Sequence, residues 1–125
     1  MLAGVLTASG IIIVSLLTIP IPFVHLVTVI PGPFIAGYIG GGVAKADEGR
    51  IITFGLLVAA FMALPAAVLL VVAFVAGVEG FLRILMIAVG AAIIPYTWWA
   101  VTVGALISYL VRRRGAATTE TDSRT

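Results

Sequence analysis

PGPFIAGYIGGGVA, residues 31–44, decides how this chain is built. Small residues recur every four positions through it, at Gly32, Ala36, Gly40 and Ala44, with Gly37 and Gly41 alongside. In water such a run makes a poor helix, because each interior glycine costs about 1 kcal/mol against alanine. In lipid the same spacing has a use. It flattens one helix face, so that a neighbouring backbone can approach to dispersion and Cα–H···O distance. The stretch predicts a helix made for close packing, and it names no reaction.

The sequence around it is almost unbroken apolar chain. The 125 residues are 62% hydrophobic and 10% charged, with a mean hydropathy of +1.30. Soluble domains carry about one quarter charged residues. A chain of this size has too little polar surface for water, which makes lipid the expected solvent. About 20 apolar residues span a bilayer core, so there is room for four spans in one domain. The predicted fold is an all-α integral membrane four-helix bundle.

Polar breaks set the spans at residues 2–19, 23–43, 51–76 and 81–111. Pro20-Ile21-Pro22 makes the first turn, since two prolines remove two backbone donors and favour extended backbone. Lys45, Asp47, Glu48, Gly49 and Arg50 form the second connection, and Gly77, Glu79 and Gly80 the third. Arg112, Arg113 and Arg114 stop the last span, and residues 112–125 read as a basic stop and a disordered polar tail. An alternative has three spans, with residues 3–29 as one kinked helix and 33–43 as a re-entrant half. The first ten residues lack the basic n-region of a secretory signal and read as the start of the first span.

The basic residues give an orientation. Lys45 and Arg50 share one connection, and Arg112, Arg113 and Arg114 follow the last span two hairpin steps later. Both groups fall on one side, and only Arg83 lies near the other. The positive-inside rule then places both termini in the cytoplasm of a plasma membrane, with the five basic residues at anionic headgroups.

Further small-residue rows accompany the first. Gly55, Ala59, Ala63 and Ala67 lie on the third span, Ala100, Gly104 and Ser108 on the fourth, and Gly4 and Ala8 on the first. The short connection after Ala44 makes the second and third spans antiparallel neighbours, with their small rows expected face to face. One row, on the second or fourth span, could instead face another subunit. Pro31, Pro33, Pro65 and Pro95 interrupt spans and free carbonyls one turn earlier, which reads as kinking.

Chemistry-bearing residues are few. The chain has no cysteine, which excludes disulfides and thiolate sites. His25 is the only histidine, near one interface. Glu79 and Arg83 stand four apart in the order that favours a helical ion pair. Tyr96, Trp98 and Trp99 cluster around Pro95 as packing aromatics. No acidic or basic residue lies deep in a span, where coupled transporters keep one, and no nucleotide, metalloprotease or hydrolase motif occurs. No catalytic residue, metal, cofactor or nucleic-acid partner is expected. The expected role is a structural or accessory subunit, self-associating or bound to a larger membrane protein. The alternative is a small oligomeric pore, holin-like or channel-like, lined by Thr18, Thr28, Thr53, Thr97 and Thr102.

The residues Pro20, Pro22, Ala36-Gly37-Tyr38-Ile39, Glu48-Gly49, Gly55, Ala59 and Leu64-Pro65 together resemble a domain-of-unknown-function family of small glycine-rich membrane proteins of haloarchaea. The likeness covers residues 10–70 and continues loosely into the last span. Pro31-Gly32-Pro33 departs from the plain glycine pair of that pattern. The resemblance implies a four-helix membrane protein and no activity. Small fluoride channels share the size, but their in-span asparagine and Thr/Ser-rich run are missing here, as is the first-span carboxylate of small multidrug exporters.

Overall fold

A computed structural model describes residues 1–18 and 24–124. The Pro20-Ile21-Pro22 turn lies outside the described residues, and so does the side chain of His25. Five α-helices and no strand occur among the described residues: α1 (Leu2–Leu17), α2 (Val24–Val29), α3 (Gly32–Val43), α4 (Ile51–Val75) and α5 (Gly80–Asp122). The chain is all-α and bundled. Helices α4 and α5 are long and apolar enough to cross a membrane.

The run at residues 23–43, expected as one span, is two helices. Pro31 and Pro33 explain the break, because neither offers an N–H to a carbonyl one turn earlier. Pro33 sits in the first turn of α3, where its missing donor costs nothing. Pro65 and Pro95, by contrast, stay inside continuous α4 and α5.

The C-terminal ends of α1 and α2 meet. The hydroxyls of Thr18 and Thr28 lie 2.5 Å apart, whereas ten residues of continuous helix would separate them by about 15 Å. Residues 3–29 therefore do not form one kinked helix.

Four helices surround the core in the cyclic order α1, α3, α5, α4. Helices α1 and α3 run antiparallel, as Gly4 meets Ala44 and Gly32 meets Ser15. Helices α3 and α5 run parallel, with Gly37 on Val101 and Gly41 on Ala105. Helices α4 and α5 are antiparallel, with Gly55 on Thr102 and Gly90 on Leu70. Phe54, wholly buried, fills the centre and reaches the backbone at Gly40.

The expected face-to-face packing of the second and third spans is not what forms. Helices α3 and α4 sit on a diagonal, with α5 between their small faces. The connection after α3 is long enough to cross that end of the bundle. Helix α3 ends in a Schellman motif: Ala46 N–H donates to the Gly41 carbonyl and Lys45 N–H to Gly42, both at 3.1 Å. Lys45 takes the left-handed conformation, φ 48°, that this motif requires. Ala46 is buried as a result, and Arg112 Nη2 donates to its carbonyl at 3.0 Å.

At the far end, Gly77 (φ 64°) and Gly80 (φ 68°) supply the left-handed turn between α4 and α5. Helix α5 then runs past the arginines to Asp122. The tail expected to be disordered is helical. Thr118, Thr119 and Thr121 each donate to the carbonyl four residues earlier, so no hydroxyl competes to end the helix. Residues 110–124 are exposed.

Candidate functional site

The region of closest packing is the seam where α3 lies between α1 and α5. Gly37 and Gly41 face α5: a methyl added at Gly37 would lie 2.8 Å from Val101 Cα, and one at Gly41 2.8 Å from Ala105 Cβ. Gly104 answers from α5, meeting the Phe34 carbonyl and Tyr38 N. Gly32, Ala36, Gly40 and Ala44 turn toward α1, where a methyl at Gly40 would lie 2.7 Å from Ala8 Cβ. Ala36, Ala100 and Ser108 are buried in the same seam. The two rows of one helix thus serve two partners within the chain. The α3 and α5 rows, either of which could have faced another subunit, meet each other instead.

The row on α4 holds only at its start. Gly55 and Ala59 are buried, Ala63 is half-buried and Ala67 is exposed. Four residues turn a helix by 400°, so an every-fourth row drifts about 40° per step. The buried stripe follows the true pitch instead, through Gly55, Ala59, Met62, Ala66 and Ala73.

Lys45, Arg50, Arg112, Arg113 and Arg114 gather at one end of the bundle, because Arg112 bonds the connection that carries the first two. Tyr109 joins in, its hydroxyl 3.4 Å from Glu48 Oε2. The N-terminus lies at this end too, since Gly4 meets Gly40 and Ala44. Arg83 is at the other end and does not pair with Glu79. Glu79 is the N-cap of α5, in extended backbone (φ −116°, ψ 167°), so helical spacing does not bring the two together. The Arg83 guanidinium instead lies 4.5 Å over the Phe74 ring.

Sequence reasoning missed the joint between α2 and α3. Tyr96 Oη donates to the Ile30 carbonyl at 2.5 Å. Phe34 stands edge-on to Tyr96 (centroids 6.5 Å apart) and to Trp99 (5.4 Å). The signal was present as two parts: prolines that free carbonyls, and a tyrosine at matching depth on the last span. The suggested threonine stripe is dispersed. Thr18 and Thr28 meet each other, Thr97 is buried, Thr102 packs on Gly55, and Thr53 is exposed on α4. No group of three or more metal-ligating side chains occurs among the described residues.

Family models, curated proteins and solved structures give no match to this chain.

Proposed function

We propose that this chain is a multi-pass integral membrane protein acting as a structural or accessory subunit, and that its association with a larger membrane protein or with itself is its activity. The observation that carries this reading is the contrast between inside and outside. The interior is spent on backbone-close glycine and alanine contacts, whereas Leu56, Leu64, Val68, Val71, Phe74 and Val75 of α4 point outward and stay exposed. Such a surface needs lipid or another apolar partner to cover it. The basic end supports an orientation with both termini in the cytoplasm and the arginines at anionic headgroups. Kinship with the glycine-rich haloarchaeal membrane family belongs to the same proposal, on the strength of the residues 10–70 that resemble it.

Because the small rows are used within the chain, association would run over the outer faces of α4 and α5. The test is purification from membranes in mild detergent. The proposal expects the protein to stay in the alkali-washed membrane pellet and to elute with a stoichiometric partner or as an oligomer. Release into the wash removes the membrane reading, and a lone monomer removes the accessory reading. The oligomeric pore has no single-chain stripe in its favour, and liposomes carrying the protein are expected to leak no faster than empty ones.

A further inference from the structure

The seam between α1 and α4 differs from the other three in the ring. No glycine of either helix faces the other: Gly4 meets the end of α3, Gly55 meets α5, and nothing stands within 4 Å of a Cβ at Gly10. Side chains alone close this seam, and an apolar groove of about 540 Å³ lies along it. Leu2 and Val5 line the groove from α1, and Leu57, Ala60, Phe61 and Leu64 from α4, among others. Val5 is buried at its floor, whereas Leu2, Leu57 and Leu64 are exposed at its rim. We propose that this groove is a lipid site, holding one acyl chain of an anionic phospholipid whose phosphate sits at Arg50. The inference rests on the membrane reading above.

Register and length carry the argument. Arg50, Leu57 and Leu64 follow at steps of seven, and a helix drifts only about 20° over seven residues. Arg50 flanks the start of α4 in α-region backbone (φ −114°, ψ −8°), so it stands on the face that lines the groove, and it is exposed. Thr53, also exposed, is the next polar residue along that side. Fourteen residues of helix measure about 21 Å. One leaflet, half of a bilayer about 40–45 Å thick with its headgroups, is about 20–22 Å deep. The face therefore runs from headgroup level to the bilayer midplane, the depth of one lipid.

Charge selects the occupant. The end of the bundle above the groove carries Lys45, Arg50, Arg112, Arg113 and Arg114 against Asp47 and Glu48, and Glu48 lies beside the Tyr109 hydroxyl. The positive excess complements a phosphate. A second copy inserted in the same orientation would bring the same excess to the same depth and be repelled. Ala60 leaves the width that a chain needs, because its methyl stands between the larger side chains of Leu57 and Leu64 on α4.

The test is lipid retention. Membranes are first washed with alkali. Protein is then extracted in mild detergent, incubated with equal amounts of phosphatidylglycerol and phosphatidylcholine, and weighed intact by mass spectrometry. Release in the wash fails the membrane reading, whereas an inserted protein that retains no lipid fails this inference alone. The unaltered protein should keep one phosphatidylglycerol per chain in preference to phosphatidylcholine. Arg50→Gln should cut that preference about fivefold, the effect of one basic residue at a membrane surface. Ala60→Trp fills the groove and should abolish retention of both lipids. Leu106→Trp, the same bulk added to an exposed position on α5, should leave retention unchanged. Equal retention of the two lipids by the unaltered protein overturns the proposal, and so does full retention in Ala60→Trp. A lipid-free dimer, or a lipid-free complex with another protein, that Ala60→Trp dissociates would give the groove a different occupant and overturn it too. If a variant does not fold, the preference of the unaltered protein decides.

Discussion

At the scale of single residues, glycines here differ by what stands opposite them. Gly37 meets backbone, which cannot move aside, whereas nothing lies within 4 Å of the position a Cβ would take at Gly10. Gly37→Ala is expected to cost about 1–3 kcal/mol through overpacking. Gly10→Ala should be neutral or gain up to about 1 kcal/mol of helix propensity. Unfolding by a denaturing detergent compares the two, and equal effects would mean that Gly37 faces no backbone. The sequence made the importance of Gly37, Gly41 and Gly104 legible, because spacing alone marks a flat face. It could not tell which neighbour each glycine meets, since Gly37 and Gly40 are one turn apart and belong to different interfaces. Nor could it show that Glu79 stands in extended backbone just before a helix rather than within one, so the pair with Arg83 was expected from spacing that does not apply.

At the scale of elements, the helices are held at their ends by hydrogen bonds that cross between distant parts of the chain. Tyr96 closes the α2–α3 joint, and Tyr96→Phe should cost about 1 kcal/mol and speed amide exchange locally at residues 28–34. Faster exchange spread evenly through α3 would contradict a local role. Arg112 fixes the connection between α3 and α4 through the Ala46 carbonyl. Arg112→Met keeps the stem and removes the donor, so protease cleavage at residues 45–50 is expected to rise while the rest of the bundle stays intact. The final turns of α5 are exposed, and truncation after Gly115 should leave the thermal midpoint of the bundle unchanged. The breaks at Lys45–Arg50 and Gly77–Gly80 were legible from charge and glycine. The helical tail was not, because small polar composition predicts disorder unless the helix entering it is already nucleated. Here α5 delivers a formed helix into residues 112–122, and propagation needs no new nucleus.

At the scale of the whole molecule, two long apolar helices, a glycine-lined interior and one basic end make up an architecture in which α5 lies between α3 and α4 in the ring of helices. Helix α5 packs against the small faces of both α3 and α4, and α3 and α4 touch where Phe54 reaches Gly40. This order was hidden in the sequence, since a short connection usually joins neighbours, and the one after Ala44 crosses a diagonal. The chain has no cysteine, so introduced pairs report without background. The most direct test is therefore oxidative cross-linking in native membranes, comparing a Gly42→Cys/Ser108→Cys pair across α3 and α5 with a Gly37→Cys/Gly55→Cys pair across the diagonal. A β-carbon at Gly42 would stand 3.3 Å from Ser108 Oγ. The architecture predicts that the first pair closes within a single chain and the second does not. A bond between positions 37 and 55, or cross-linking of 42 and 108 only between chains, would contradict it.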